Sequence, residues 1–253
     1  MTADHYLWNI LQREQVDNGL YSPVRNCQQT MLPLLQQWGG GFLVDVMASG
    51  SFAKGTANKS GTDIDLFVSL SETTPETLKD IYTKLARRME ELGFKPRLQN
   101  VSIGIKVGSF DVDLVPAKRQ NAFSLDHSLY RRRADTWTKT NIAAHIALVS
   151  ASGCTNEIRI IKLWRDQRGL DFPSFYLELT VIEALRGRSG PSLSANVWTV
   201  LQYLRDRFAS ARFVDPSNTN NILSDELSDT AQRNIATAAG TSLGAKTWGE
   251  IVR

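Results

Sequence analysis

Four aspartates and a glycine-serine pair are the residues whose types and spacing could do chemistry. Asp63 and Asp65 stand one residue apart in Asp63-Ile64-Asp65-Leu66-Phe67-Val68, and a second acidic pair follows in Phe110-Asp111-Val112-Asp113-Leu114-Val115. Alternation of this kind is the period of a strand, so aspartates two apart project from one face. Carboxylates grouped on one face are hard oxygen ligands suited to Mg²⁺, which takes only a few of them and completes its shell with water and phosphate oxygens. The matching chemistry is nucleotidyl transfer, in which two such ions, roughly 3.5–4 Å apart, stabilise the entering and leaving oxygens. That chemistry also needs a grip on a triphosphate. Gly50-Ser51, with eleven residues between it and Asp63, answers this need. Glycine lets backbone approach phosphate closely, and the serine hydroxyl with N–H groups at a following helix start can bind its oxygens. Taken singly these features are ordinary: a Gly-Ser pair is usually a loop, and Asp-x-Asp is usually a solvated strand face. Both Asp111 and Asp113 remain open as the third ligand, since periodicity puts them on the same face.

The joint order is more specific: strand, Gly50-Ser51, short polar loop, the Asp63-Ile64-Asp65 strand, then another strand bearing an acid. It resembles the nucleotidyltransferase signature of the polymerase-β-like superfamily. Phe110 to Ala117 is similar to the acid-apolar-apolar-Pro segment of oligoadenylate synthetases and archaeal-type CCA-adding enzymes. There the metal carboxylate stands three residues before the proline, here Pro116, so the resemblance selects Asp113 and leaves Asp111 as a supporting or solvent-facing acid.

Further along, Ile158-Arg159-Ile160-Ile161-Lys162-Leu163-Trp164 has helical apolar spacing around one lysine, by itself a solvated position on an amphipathic helix. Phe172-Pro173-Ser174-Phe175-Tyr176-Leu177-Glu178-Leu179 follows it. The pair resembles the lysine-tryptophan helix and the Pro-Ser-aromatic-Leu-Glu helix start of oligoadenylate synthetases and bacterial cGAS/DncV-like nucleotidyltransferases. The resemblance implies that Lys162 and Ser174 bind the triphosphate tail and that Phe175 stacks on the base; from the residues alone Phe175 would be core. An ammonium, a hydroxyl at a helix N-terminus and a flat apolar ring suit those roles. Trp137-Thr138-Lys139-Thr140-Asn141 is similar to the family's Trp-x-x-Thr connection into its next helix, with Ile142 where a proline is common, and Asp215-Pro216-Ser217-Asn218 to its Asp-Pro turn. His145 reads as structural, because a metal-bound attacking hydroxyl needs no histidine base. The run Arg131-Arg132-Arg133 reads as solvated, with an RNA or nucleotide-phosphate contact as the sharper alternative.

These residues need elements to hold them. The spacing predicts an opening helix with Leu7, Ile10, Leu11 and Glu14 on one side, then a helix capped by Ser22 with Pro23 in its first turn. That second helix runs through Met31 to Trp38, kinked or divided at Pro33, and ends at Gly39-Gly40-Gly41. Strands are predicted over 42–47, from Asp63, around 101–107 and over 110–115, with a helix over 76–92 stopped by Gly93. After Pro116 a polar connection containing the three arginines leads to helices near 141–150, 156–167, 174–186, 192–208 and 228–239. The expected fold is therefore α+β. A polymerase-β-like catalytic lobe, mixed sheet with helices, occupies 1–117, and a mostly helical nucleotide-binding lobe occupies 118–253.

Composition bounds the rest. With 253 residues, 42% hydrophobic and 22% charged, the chain is an ordinary globular protein. No run approaches the roughly 20 apolar residues of a membrane helix, and Met1-Thr2-Ala3-Asp4-His5 lacks the features of a secretory signal. Cys27 and Cys154 form no metal or redox pattern, so a cytoplasmic setting is expected. A net charge of +3 neither requires nor excludes a nucleic-acid partner. The resemblance implies two Mg²⁺ ions (Mn²⁺ as a substitute) and nucleoside triphosphates as substrates. It also implies a cyclic or linear oligonucleotide signal as product, in anti-phage signalling, with an effector protein responding to it. Untemplated addition to an RNA 3′ end, with RNA as acceptor, uses the same residues. A nucleotide- or partner-binding pseudoenzyme is the reading from another class.

Overall fold

A computed structural model describes residues 2–17, 19, 22–61, 63–188, 190 and 192–253. Met1, part of the stretch read above for a secretory signal, lies outside the described residues. In chain order the elements are α1 (Ala3–Arg13), α2 (Pro23–Gly39), β1 (Leu43–Ala48), α3 (Gly50–Lys54), β2 (Ile64–Leu70), α4 (Leu78–Glu91), β3 (Arg97–Leu98), β4 (Ile103–Val107), β5 (Phe110–Arg119), β6 (His127–Arg131) and β7 (Thr136–Thr140). They continue as α5 (Ile142–Ser150), α6 (Thr155–Gln167), α7 (Ser174–Ala184), α8 (Leu193–Asp206), β8 (Val214–Asp215), β9 (Asn218–Ile222), α9 (Asp229–Leu243) and α10 (Trp248–Ile251). The mixture is the α+β architecture that the sequence predicts.

The chain forms two compact units. The sheet unit comprises Asp17–Lys54 and Thr62–Ile146. Its strands run in the order β1-β2-β5-β4-β3, with β6 joined to β5 and β7 to β6. Among the described residues only β2 and β5 pair in parallel. Alternation decides what each sheet face does. Ile64, Leu66 and Val68 of β2, with Val112 and Leu114 of β5, are buried in one core with Met31 and Leu35 of α2 and Tyr82, Leu85 and Met89 of α4. The intervening residues of the same strands, Asp65 and Asp113 among them, therefore project from the opposite face. Farther along that face Phe67 and Ala117 pack with Leu129 of β6.

Local chemistry explains the flanking helices. Ser22 accepts the Arg25 N–H at 3.4 Å and Pro23 opens α2. The helix is not divided at Pro33: Met31 before it and Leu35 after it are both fully buried in the same core, and this packing holds the two halves together across the missing hydrogen bond. Thr77 caps α4, accepting the Asp80 N–H at 3.1 Å and donating to Asp80 Oδ2 at 2.7 Å. Gly93 follows its end at a φ of 88°, the left-handed conformation glycine adopts without strain.

The helical unit comprises Met1–Val16, Gly55–Gly61 and Ala147–Arg253. Its core draws on α1 (Leu7, Ile10, Leu11), α6, α7, α8 and α9, with an aromatic cluster of Phe172, Tyr176, Phe208 and Phe213. The division departs from the expected boundary near residue 117 in two ways. Helix α1 belongs with the later helices, because its apolar face is buried among them. The segment expected as a polar connection is a β-hairpin, β6–β7, paired in register from His127↔Thr140 to Arg131↔Thr136. Its outer strand, Thr136-Trp137-Thr138-Lys139-Thr140, buries only Thr140, so no apolar alternation announces it. No helix among the described residues is long and apolar enough to cross a membrane.

Candidate active site

The acidic residues of the sheet unit are assembled by strand register. In the parallel pairing of β2 with β5, Asp65 lies directly beside Asp113, and Asp63 stands exposed just before β2. Gly50 opens α3 at the end of β1 with φ at 59°. A methyl group placed there would lie 1.7 Å from Asp65 Oδ2 and 2.5 Å from its Cγ. The backbone of the Gly50-Ser51 turn is thus pressed against the Asp65 carboxylate, and Ser49 N–H ties the turn to the Asp65 carbonyl at 2.9 Å. Two independent constraints, the left-handed φ and the absence of room, call for glycine. Helix α3 has only five residues, so it contributes little macrodipole at its N-terminus.

The two acids on β5 have different surroundings. Asp111 is paired with Arg97 at 2.7 Å and Lys106 at 3.5 Å. The Arg97 hydrogen bond holds its carboxyl below the usual range. Asp113 is more enclosed, accepting from Gln99 Nε2 at 2.8 Å and Ser102 Oγ at 3.3 Å. Burial pushes its carboxyl above the usual range, and the negative charge of Asp63 pushes the same way, against the pull of Ser102, Arg97 and Gln99. A carboxylate that resists ionisation beside another one is a place where a cation is favourable. Among the described residues no three His, Cys, Asp or Glu side chains close into a cluster able to hold an ion by themselves. The donor set still fits Mg²⁺, which takes one or two carboxylates and fills its remaining positions with water and phosphate oxygens.

Gln99, Ser102 and Gly104 were not legible as site residues. Gly104 pairs with Asp113 across β4 and β5, and a methyl group there would meet Asp113 Oδ1 at 3.1 Å and Gln99 Nε2 at 3.0 Å. A glycine interrupting Ile103-Gly104-Ile105 is a mark of close approach, and it was the one available signal.

Lys162, Ser174, Phe175 and Asp215 belong to the helical unit, and the predicted residues from Trp137 to His145 to the sheet unit. Lys162 of α6 is buried, with its ammonium 2.6 Å from Glu178 Oε1 of α7 and 2.9 Å from Thr56 Oγ1. Glu178 has no exposed surface and also accepts from Thr56 at 3.0 Å. This corrects the solvated reading of Lys162: a buried lysine is tolerated because a buried carboxylate answers its charge. Ser174 begins α7, and its hydroxyl accepts from Arg165 Nη1 at 3.0 Å. Phe175 is partly buried against the helical core, between a free platform and a core residue. Asn141 caps α5 by accepting the Ala144 N–H at 3.0 Å, so the Trp137–Thr140 segment is strand β7 running into that cap. His145 lies within α5. Asp215, buried, accepts from Ser217 N–H and Oγ, both at 2.8 Å, which makes the expected Asp-Pro turn.

Residues 33–121 match the model of the nucleotidyltransferase domain family. The chain is 26% identical over 159 residues to a cyclic AMP-AMP-AMP synthase of Escherichia coli (strain MS 115-1), a match covering 55% of this chain and 50% of the synthase. Among solved structures, E. coli MS115-1 CdnC with ATP superposes with a TM-score of 0.80 at 19% identity, covering 99% of this chain and 97% of that one. The Bradyrhizobium diazoefficiens CD-NTase CdnG in complex with GTP gives a TM-score of 0.78 at 14% identity, covering 94% and 89%.

Proposed function

We propose that this chain, a nucleotidyltransferase of the bacterial cGAS/DncV-like kind, joins nucleoside triphosphates into a cyclic or linear oligonucleotide messenger. One observation carries the reading: the parallel register that sets Asp65 beside Asp113, with the backbone of Gly50 pressed against Asp65. Asp63, Asp65 and Asp113 would hold divalent cations, Mg²⁺ or Mn²⁺, which supply positive charge to the entering and leaving oxygens. Gly50 and Ser51 hold the donor triphosphate through backbone N–H groups and a hydroxyl. A ribose hydroxyl of a second nucleotide gives its proton to water and forms the new P–O bond at the donor α-phosphorus, the α–β anhydride breaks, and pyrophosphate leaves with the bonding pair. Ser174, at the start of an eleven-residue helix with the Arg165 guanidinium beside it, is assigned to the triphosphate tail, and Phe175 to the base. Lys162 is assigned to that tail together with the Thr56 hydroxyl and Glu178 that fix its ammonium.

Support for a signal rather than a polymer end comes from the relative matched in sequence, a synthase named for cyclic AMP-AMP-AMP. Anti-phage signalling through an effector protein that senses the product is the setting we assign. The test is incubation with α-labelled ATP and GTP and Mg²⁺, with and without added RNA. Small labelled products that survive phosphatase, formed without RNA and lost in Asp65→Asn, are expected. Label entering RNA 3′ ends instead would transfer the site to terminal addition. Absence of any transfer, with intact triphosphate binding, would make the chain a nucleotide-binding pseudoenzyme.

A further inference from the structure

Resting on the assignment of Asp113 as a metal carboxylate, we infer that loop 99–102 is a positioning device that aims this carboxylate, and that Arg132 belongs to it. The loop presents two donors to one acid. A carboxylate only accepts hydrogen bonds, so the Gln99 amide must turn its Nε2 toward Asp113 Oδ1, 2.8 Å away. Ser102 Oγ, with a single proton, lies 3.3 Å from Asp113 Oδ2 and 3.0 Å from Gln99 Oε1. Whichever acceptor it serves, it steadies either the acid or the amide that holds the acid. Gly104 makes the fit possible, since an added methyl would sit 3.0 Å from Gln99 Nε2 and 3.1 Å from Asp113 Oδ1.

The loop is itself held from behind. The hydroxyl of Tyr82, buried on α4, shares its one proton between the carbonyls of Gln99 at 2.8 Å and Ser102 at 3.0 Å. Arg132 Nε donates to the Gln99 carbonyl at 3.1 Å, and the Arg132 N–H to the Asn100 carbonyl at 2.8 Å. One of the three consecutive arginines therefore braces the residue that grips Asp113. Its neighbour Arg133 touches the loop through its backbone N–H, at 3.1 Å from Asn100 Oδ1. Removing the Arg133 side chain leaves that bond in place, whereas removing the Arg132 guanidinium takes away the Nε bond to the Gln99 carbonyl.

Mn²⁺ uptake by the nucleotide-free protein, followed by electron paramagnetic resonance, reads the aim of Asp113 without requiring turnover. Partners that orient a ligating side chain typically govern affinity by about 10–100-fold, and Gln99→Leu is expected to weaken Mn²⁺ by that factor and raise the Mg²⁺ requirement of transfer in parallel. Ser102→Ala, a change too small to threaten folding, should weaken it several-fold. Arg132→Gln should act in the same direction and Arg133→Gln should not, although each removes one charge. Mn²⁺ affinities unchanged in both Gln99→Leu and Ser102→Ala, in a parent whose uptake depends on Asp113, would overturn the loop's role alone. Equal losses in Arg132→Gln and Arg133→Gln would make the arginines a charge patch and remove Arg132 from the device. A parent whose Mn²⁺ uptake ignores Asp65 and Asp113 would overturn the metal site, and this inference with it.

Discussion

At the scale of single residues, Gly50 makes the tightest demand. A methyl group would lie 1.7 Å from Asp65 Oδ2, a separation that can be relieved only by moving the carboxylate or the turn. Gly50→Ala should therefore abolish most nucleotide transfer while costing stability on the order of 1–2 kcal/mol from the left-handed φ; steady-state rates and thermal melting measure the two separately. The acids of β5 give a sharper comparison. Asp113→Asn should reduce transfer by orders of magnitude and Asp111→Asn only mildly, because Asp111 is already committed to Arg97 and Lys106. The reverse ranking would move the metal ligand to Asp111. Asp113 also carries a pH signature. Its carboxyl is raised above the usual range, so the folded protein keeps that proton after the unfolded chain has lost it. Stability is consequently lost as pH rises through that window. In metal-free buffer Asp113→Asn should melt higher than the parent at neutral pH, with the difference shrinking as the pH falls into the carboxylate range. Lys162 separates two effects that sequence alone treats as one. Removing it strands the buried Glu178, so Lys162→Ala should cost about 3–5 kcal/mol of stability in addition to any loss of triphosphate affinity. Lys162→Met paired with Glu178→Leu should restore much of the stability. If affinity then matches the parent, Lys162 is only structural.

At the scale of elements, α2 and the central strands work in opposite ways. Helix α2 contains Pro33, exposed and interior, where the ring contributes no core contact and removes a backbone donor. Pro33→Ala should raise the melting temperature, by an amount corresponding to at most about 3 kcal/mol, without altering transfer; a lower melting temperature would show that the ring is packed to advantage. Strands β2 and β5 offer no such freedom. Their period of two gives one face to the helices and the other to the aspartates, and a slip of one residue would exchange Asp65 for Leu66 and Asp113 for Leu114. The buried rows Ile64, Leu66, Val68 and Val112, Leu114 thus guard the chemistry as well as the fold, because a slip would put carboxylates in the core.

At the scale of the whole molecule, the chain enters the helical unit three times, as Met1–Val16, Gly55–Gly61 and Ala147–Arg253. The opening helix is accordingly part of the later core. Leu7→Ala, at a position with no exposed surface, should cost about 2–5 kcal/mol, and the loss should appear in the helical unit while the sheet unit retains metal binding. Hydrogen exchange resolved along the chain distinguishes this from a weakened sheet unit, which is what a lobe beginning at residue 1 would give.

By itself the sequence pointed to the chemistry proposed for this chain and to the order of most elements. Asp63-Ile64-Asp65, Gly50-Ser51 and the acid before Pro116 are local patterns, and strand alternation, capping residues and helix-stopping glycines act within a few residues. Only the tertiary structure decided what depends on neighbours distant along the chain. Register set Asp65 beside Asp113, and Arg97 and Lys106 claimed Asp111. Gln99 and Ser102 became the partners of Asp113, and Glu178 and Thr56 took Lys162 out of solvent. The hairpin β6–β7 was illegible because its pairing rests on backbone hydrogen bonds and carries little apolar alternation, and α1 could be assigned to its unit only once the surface it covers existed. Local rules can specify a strand or a cap, but burial and charge pairing belong to pairs of residues that only the fold brings together.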